Sequence, residues 1–272
     1  MPLYQAIILA VIQGVAEFLP ISSTAHLVLF PWVLGWKDPG LTFDVALHAG
    51  TLVAVVLYFW QDWLQMILAA VGMGAPSDPE VAQRRRLFWY LVIATVPAGI
   101  AGLLFEKAAE EQFRQPIVIG LAMVIVALVM WAGEHTGDHR DGVESVSFAS
   151  AFIIGVSQAL AVIPGVSRSG ITMSTGLFRG LKREAVARFS FLLSTPIIAG
   201  AALKKALEIH KTGLPADMHI PFLAGIAVSA VVGYGVIAWL LRYLSRRTFK
   251  VFIIYRLALG VLVLALGWGL HR

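Results

Sequence analysis

Apolar runs long enough to cross a lipid bilayer recur along this chain and constrain its fold more than any other feature. A transmembrane helix needs on the order of 20 mostly apolar residues. The chain is 58% hydrophobic and only 14% charged, whereas a soluble domain carries roughly 25% charged residues. The sequence therefore predicts an all-α polytopic membrane protein with about six transmembrane helices, at residues 41–60, 87–105, 116–133, 186–203, 221–241 and 251–270.

The composition also excludes several kinds of site and partner. No cysteine is present among the 272 residues, so disulfides, zinc–thiolate sites and cysteine nucleophiles are ruled out. The formal net charge is +5, but the basic residues lie between the apolar runs, as orientation in a membrane requires, and no nucleic-acid partner is predicted. The first residues lack the pattern of a signal peptide, so we expect the first apolar stretch to stay in the mature protein.

Three basic clusters, at residues 84–86, 179–188 and 242–250, set the predicted topology. The positive-inside rule places all three in the cytoplasm. Two apolar stretches, 3–34 and 146–178, are then too long for one crossing and short for two, and a proline interrupts each near its centre. We predict that both are re-entrant helical hairpins, which enter the bilayer from opposite sides.

The two hairpins share sequence, which indicates an internal repeat. Gly14-Val15-Ala16-Glu17 aligns with Gly155-Val156-Ser157-Gln158, and Pro20-Ile21-Ser22-Ser23 aligns with Pro164-Gly165-Val166-Ser167 after a short insertion. Each half is then a hairpin followed by three crossings, in opposite topologies. We predict one membrane domain, residues 1–272, built as an inverted-topology repeat with halves at about 1–133 and 146–272. Chance similarity between apolar segments is the alternative.

The polar residues of the two hairpin loops form the candidate site, because charged groups at membrane depth usually face a cavity. In each hairpin the proline ends the first helix, and a serine follows at an N-cap position of the second. Free N–H groups at such helix ends favour an anion, and the forked cation of Arg168 suits phosphate oxygens. The predicted phosphate-binding residues beside Arg168 are Ser22, Thr24, Gly165, Ser167, Ser169, Gly170 and Thr172.

The reactive groups are predicted in the first hairpin. His26 lies three residues after Ser23, so both can share one helix face, and the histidine could act as general base for the serine. Glu17 could hold a divalent cation, orient His26 or pair with Arg168.

Structural alternatives stay open for each of these residues. His26 could only cross-link helices, hydroxyls in membrane helices often pack or bond to backbone, and Arg168 could only neutralise Glu17. Asp44 and His48 on the next span are weaker candidates for the site. The alternative for Asp44 is a position at the outer interface, and the alternative for His48 is a core residue with satisfied hydrogen bonds.

These motifs resemble those of the undecaprenyl pyrophosphate phosphatase family, bacterial membrane enzymes linked to bacitracin resistance. The matching elements are Gln13-x-x-x-Glu17 and the segments 18–26 and 164–170. The resemblance implies hydrolysis of undecaprenyl diphosphate to undecaprenyl phosphate and inorganic phosphate, which recycles the lipid carrier of cell-wall polysaccharide synthesis. It assigns the catalytic roles to Glu17, Ser23, His26 and Arg168.

The resemblance also implies a divalent cation, Mg²⁺ or Ca²⁺, held by Glu17 with Gln13. It further implies the bacterial inner (plasma) membrane, a site that opens to the outer face, and often a homodimer. Two residues depart from the family pattern: Gln13 removes one carboxylate, and Val166 stands where threonine is common. The rival function is a transporter or flippase of the lipid carrier or of another anionic substrate, because inverted repeats with broken helices are typical of secondary transporters.

Overall fold

The fold is built from helices throughout the part of the chain that the computed structural model describes, residues 1–75 and 77–270. Over those residues the regular structure is helical, apart from an isolated bridge between Asp141 and Leu181. The all-α prediction is therefore confirmed, while residues 271–272 of the predicted second half lie outside the described residues. The α-helices, in chain order, are α1 (Leu3–Ala16), α2 (Ser23–Leu34), α3 (Leu41–Tyr58), α4 (Trp60–Ala70), α5 (Pro79–Leu104), α6 (Glu106–Glu111), α7 (Pro116–Thr136), α8 (Phe148–Gln158), α9 (Arg168–Phe178), α10 (Arg183–Thr212), α11 (His219–Leu244) and α12 (Lys250–Leu270).

Six of the described helices are long and apolar enough to cross a membrane: α3, α5, α7, α10, α11 and α12. Each coincides with one of the predicted apolar runs, and the multi-pass prediction is confirmed. The largest differences lie at the helix ends. The helices α5 and α10 extend well beyond the runs 87–105 and 186–203, because the polar residues that flank these runs continue the same helices.

The helices of both predicted hairpins are short. They contain 14 and 12 residues in α1 and α2, and 11 residues each in α8 and α9. At 1.5 Å per residue they are only about 16–21 Å long, whereas the hydrocarbon core of a bilayer is about 30 Å thick. Their length agrees with re-entrant hairpins, and the opposite orientation of the two halves stays a prediction.

The loops of the two hairpins end in the same unusual backbone conformation. Ser22 has φ 74° and ψ 93°, and Ser167 has φ 69° and ψ 111°, a region that L-residues seldom adopt. Each serine caps the helix that follows, because Ser22 Oγ accepts from the Ala25 amide at 3.4 Å and Ser167 Oγ accepts from the Gly170 amide at 3.1 Å. The structure thus makes Ser22 the counterpart of Ser167, one residue away from the sequence alignment, which pairs Ser167 with Ser23.

The sequence did not predict α4, which follows α3 after a break at Phe59. This helix buries Met66 and Ala69, whereas Trp60 and Leu64 are exposed. A short helix with one buried and one exposed apolar side fits a position along the membrane interface. The predicted span 41–60 ran into this helix because the apolar composition continues across the break.

Glycines set the closest contacts between helices. A Cβ atom on Gly14 would collide with Val232 of α11, and one on Gly155 would collide with the backbone of Ala94 in α5. Small residues allow membrane helices to approach closely. The helices α1 and α8 therefore pack tightly on α11 and α5, which positions Glu17 and Gln158 at their C-terminal ends.

The crossing of α3 and α11 gives a test of this packing. A Cβ atom on Gly50 would overlap with Ser229 Oγ and with the Ile226 carbonyl, whereas a Cβ atom on Gly235 of α11 would meet open space. Overpacking costs typically about 1–3 kcal/mol, so we expect Gly50→Ala to lower the melting temperature of the protein in detergent. Gly235→Ala is the matched control and should leave it unchanged or higher. Equal melting temperatures for both variants would contradict the packing.

Candidate active site

One buried carboxylate, that of Glu17, lies at the centre of a polar cluster between the helices. Its Oε1 accepts a hydrogen bond from Arg168 Nη2 at 2.7 Å. Its Oε2 accepts from Ser23 Oγ at 2.6 Å and from Gln13 Nε2 at 3.1 Å. The structure thus forms the Glu17–Arg168 pair, one of the three roles considered for this carboxylate, and it joins the two hairpins at this point.

His48 of α3 completes the surroundings of Glu17. Its Nε2 lies 3.3 Å from Glu17 Oε2, and its Nδ1 lies 2.7 Å from the Asp44 carbonyl oxygen. Both oxygens are acceptors, so this geometry suits a ring that donates from both nitrogens. Glu17 therefore lies between two side chains that can carry positive charge, His48 and Arg168.

The guanidinium of Arg168 is held in place by α10. Its Nη1 donates to the Ser190 carbonyl oxygen at 2.9 Å. Thr172 Oγ1 lies 2.7 Å from Ser190 Oγ and donates to the Arg168 carbonyl oxygen at 2.7 Å. These bonds fix the orientation of the arginine, because they hold both its side chain and its backbone.

The two hairpin loops are hydrogen-bonded to each other. The Gly165 amide donates to Ser22 Oγ at 3.2 Å. Ser169 Oγ donates to the Leu19 carbonyl oxygen at 3.0 Å. Gly165 has φ +95°, and a Cβ atom on it would collide with the Ile119 carbonyl of α7, so this position requires glycine. The loops therefore form one unit, in which three predicted phosphate ligands, Ser22, Gly165 and Ser169, bond to protein.

Arg256 of α12 reinforces this unit. The residue is fully buried. Its Nη1 donates to the Pro20 carbonyl oxygen at 3.2 Å, and its Nη2 donates to the carbonyl oxygens of Gly165 at 2.8 Å and Val166 at 3.1 Å. One guanidinium thus satisfies backbone carbonyls from both loops, which would otherwise lack donors at membrane depth.

His26 has other partners than the predicted one. Its Nδ1 donates to the Ser22 carbonyl oxygen at 2.7 Å, and its Nε2 lies 2.6 Å from the Tyr255 hydroxyl. The two rings stack, with centroids 5.7 Å apart. Within the described hydrogen bonds, the Ser23 hydroxyl bonds to Glu17 and not to His26. The geometry therefore fits the alternative in which His26 cross-links α2 and α12.

A cavity of about 670 Å³ adjoins the polar cluster. At one end it is lined by His48 and by five of the predicted site residues, Glu17, Ser23, Thr24, Ser167 and Arg168. The remaining predicted residues are not in its lining: Gln13, Ser22, His26, Gly165, Ser169, Gly170 and Thr172. These residues support the ones that line the cavity.

The rest of the cavity wall is mainly apolar. Small residues of α5 and α10 form much of it, and a Cβ atom on Gly99, Gly102 or Gly200 would meet no neighbour within 4 Å. The residues of α3 that line the cavity extend from Leu41 to His48, which is about 10 Å along the helix axis. The cavity thus joins a charged end to an apolar groove, a shape suited to an amphipathic molecule.

Comparison with known proteins agrees with this combination of helices and polar residues. Residues 6–262 match the family described as "Bacitracin resistance protein BacA". The chain belongs to this family. It is 51% identical over 268 residues to an undecaprenyl-diphosphatase of Moorella thermoacetica, which covers 98% of this chain and 99% of the relative. It is 47% identical to an undecaprenyl-diphosphatase of Pelotomaculum thermopropionicum, over 98% of this chain and 97% of the relative.

The sequence does not predict the contacts of three residues of this BacA family member. It favours a core position for His48, yet this residue contacts Glu17. Arg256 was overlooked, although an arginine in the middle of the apolar run 251–270 was a signal that could have revealed it. Asp44 was expected at the interface, but it is buried and paired with Arg114 at 3.0 Å.

The described residues of this BacA family member do not fit a resident divalent cation. Among the described residues that line the cavity, Glu17 is the only carboxylate, and donors from Arg168, Ser23, Gln13 and His48 surround both of its oxygens. No group of three or more His, Asp or Glu residues in the described part of the chain could hold a metal ion. The two predicted ligands, Glu17 and Gln13, are instead hydrogen-bonded to each other.

The role of Arg256 in this BacA family member can be tested by stability. Arg256→Met removes the donors to three buried carbonyls, and each buried acceptor left unsatisfied costs about 1–3 kcal/mol. We therefore expect a lower melting temperature in detergent. Arg242→Met, at an exposed position in the last turn of α11, should have little effect. If the two variants melt at the same temperature, Arg256 does not hold the loops together.

Proposed function

We propose that this protein hydrolyses undecaprenyl diphosphate to undecaprenyl phosphate and inorganic phosphate, and so returns the lipid carrier to cell-wall polysaccharide synthesis. The observation that carries the proposal is the Glu17 carboxylate, which accepts from a serine hydroxyl and from an arginine at the wall of a mainly apolar cavity that Thr95, Gln158 and Lys204 also line. The relatives named undecaprenyl-diphosphatase support this substrate. The family description supports bacitracin resistance as the phenotype.

The diphosphate head is proposed to bind between the first turns of α2 and α9. The amides of Ser23, Thr24, Arg168 and Ser169 have no carbonyl partner within their own helices. Two helix N-termini then present N–H groups and positive dipole ends to one anion. The substrate also attracts the guanidinium of Arg168, which frees part of the Glu17 carboxylate for proton transfer.

The reaction is proposed to proceed in two steps. In the first, Ser23 Oγ forms a bond to the terminal phosphorus while the bond from that phosphorus to the bridging oxygen breaks. The Ser23 proton passes to Glu17 Oε2, 2.6 Å away, and from there to the departing undecaprenyl phosphate. Glu17 replaces His26 as the base, because the structure bonds the serine to the carboxylate.

In the second step, water attacks the phosphoserine. The water oxygen forms a bond to phosphorus, the bond to Ser23 Oγ breaks, and one water proton passes through Glu17 to the serine oxygen. The products are inorganic phosphate and the original enzyme. Arg168 and the helix N-termini stabilise the charge on the transferring phosphoryl group, which is the main requirement of this chemistry. A direct attack by water, with Ser23 as a ligand only, is the competing route.

The apolar groove is proposed to hold the start of the prenyl tail. Its walls come from the small residues of α5 and α10, at Gly99, Gly102 and Gly200. These residues, with Leu41 of α3, lie toward the predicted outer ends of their helices. This supports a site that opens to the outer face of the inner membrane. The homodimer is proposed on family resemblance alone.

The transporter or flippase alternative is not favoured. The names of the relatives describe a phosphatase, and the cluster around Glu17 supplies the groups that phosphoryl transfer requires. Detergent solution separates the two functions, because it removes the two compartments that transport needs.

We expect the purified protein to release phosphate from undecaprenyl diphosphate in detergent. Ser23→Ala removes the nucleophile and Glu17→Gln removes the base, so each should lower kcat by at least about 100-fold. Ser245→Ala, an exposed serine bonded to the Arg242 carbonyl, is the control and should behave as wild type. Phosphate release is measured colorimetrically, and rapid quenching with mass spectrometry identifies a phosphate on Ser23.

Three results would contradict different parts of this proposal. No phosphate release by the wild-type protein rejects the phosphatase function. Release without any phosphoserine under single-turnover conditions keeps the function and rejects the covalent route. Full activity in Ser23→Ala would reject every role given to that hydroxyl.

The family resemblance predicts a divalent cation, and a separate experiment tests whether the protein binds one. Because donors surround both oxygens of Glu17, we expect the substrate-free protein to bind Mg²⁺ or Ca²⁺ only weakly, with Kd of about 1 mM or higher. Isothermal titration calorimetry on the detergent-solubilised protein measures this affinity. Binding in the micromolar range that Glu17→Gln abolishes would show a resident site and contradict this reading.

A further inference from the structure

Gln158, the last residue of α8, is a buried polar side chain for which the proposed reaction has no use. It is 2% exposed. Both its Nε2 and its Oε1 are buried and have no hydrogen-bond partner in the described part of the chain. Buried polar groups in proteins are almost always bonded, and each exception needs an explanation. Gln158 also lines the cavity, as do Ser167 and Arg168, so its side chain borders the space that a ligand would occupy.

The fold holds Gln158 at this wall. Three residues earlier, Gly155 packs against the backbone of Ala94, which fixes α8 on α5. A 3₁₀ turn, Ala159–Val162, follows directly, and most of its residues also line the cavity. The backbone on both sides is therefore set by packing. A Leu or Met side chain would fill the same space without an unsatisfied amide.

The amide has the chemistry that a phosphate group needs. Gln158 aligns with Glu17 in the repeat, so the two hairpins present related side chains at the ends of α1 and α8. The carboxylate of Glu17 is surrounded by donors, whereas the Nε2 donors of Gln158 are free among the described residues. A neutral amide can donate to a phosphate oxygen without adding a second negative charge beside Glu17.

We infer that Gln158 is a further substrate-binding residue, which donates a hydrogen bond from Nε2 to a phosphate oxygen of the lipid diphosphate. The inference rests on the proposed function and adds a role that is confined to binding. The two aligned positions have then diverged, because one carries the carboxylate for proton transfer and the other carries an amide for recognition.

Gln158→Met separates binding from structure, because methionine has a similar length and no hydrogen-bonding amide. With farnesyl diphosphate in detergent, we expect KM to rise about tenfold, as the loss of one hydrogen bond to a charged group predicts, with a smaller change in kcat. The melting temperature of the substrate-free variant should stay equal or rise, because the unsatisfied amide is gone. Gln158→Glu should raise KM further, since its carboxylate repels the diphosphate.

Ser157→Ala is the matched control at the neighbouring position. Its hydroxyl bonds to the Ile154 carbonyl at 2.7 Å, and it is not in the cavity lining. We expect its KM and its melting temperature to equal those of the wild type. A change in KM for this variant as large as that for Gln158→Met would overturn the inference.

A probe that cannot be hydrolysed, farnesyl methylenediphosphonate, tests binding without turnover. We expect it to raise the melting temperature of the wild type more than that of Gln158→Met. An active wild type with unchanged KM in Gln158→Met overturns the inference and leaves the proposed function intact. A lower melting temperature of Gln158→Met without probe also overturns it, because the amide is then structural. A wild type that neither hydrolyses the substrate nor responds to the probe overturns both proposals.

Discussion

The backbone of two loops, buried between helices at membrane depth, is the constraint on which the rest of this structure depends. Lipid offers no hydrogen bonds, so the protein itself must supply a donor for each exposed carbonyl. Arg256 supplies donors to Pro20, Gly165 and Val166, and Ser169 supplies one to Leu19. Because these bonds join one loop to the other, the first turns of α2 and α9 are held together and face the same cavity.

The charges of the site follow from that arrangement. Joining the loops brings Glu17 of one hairpin to Arg168 of the other, and α3 adds His48 on the far side. The Glu17 carboxylate thus lies between His48 and Arg168, and in the proposed reaction it accepts the Ser23 proton. The groups of the site thus come from four helices, α1, α2, α3 and α9, and all of them contact the Glu17 carboxylate.

Local sequence signals predicted the helices and the breaks, since apolar length marks the spans and prolines mark the loops. Of the partners that are distant in the chain, the sequence suggested the Glu17–Arg168 pair as one possibility and missed the others. Arg256 and Pro20 are 236 residues apart, and His26 and Tyr255 are 229 apart. The spacing of Ser23 and His26 suggested a catalytic pair, but the serine hydroxyl donates its hydrogen bond to Glu17, at the end of α1. No local pattern could show which acceptor would lie closer.

The bonds between the loops also limit how the molecule can move. A carrier that exposes its site alternately to each side needs one half to rock against the other around the substrate. Here such rocking would break the Gly165–Ser22 bond, the Ser169–Leu19 bond and the Glu17–Arg168 pair together, and it would pull Arg256 away from Pro20 of the first loop. These hydrogen bonds and this ion pair therefore oppose a rocking motion of one hairpin against the other.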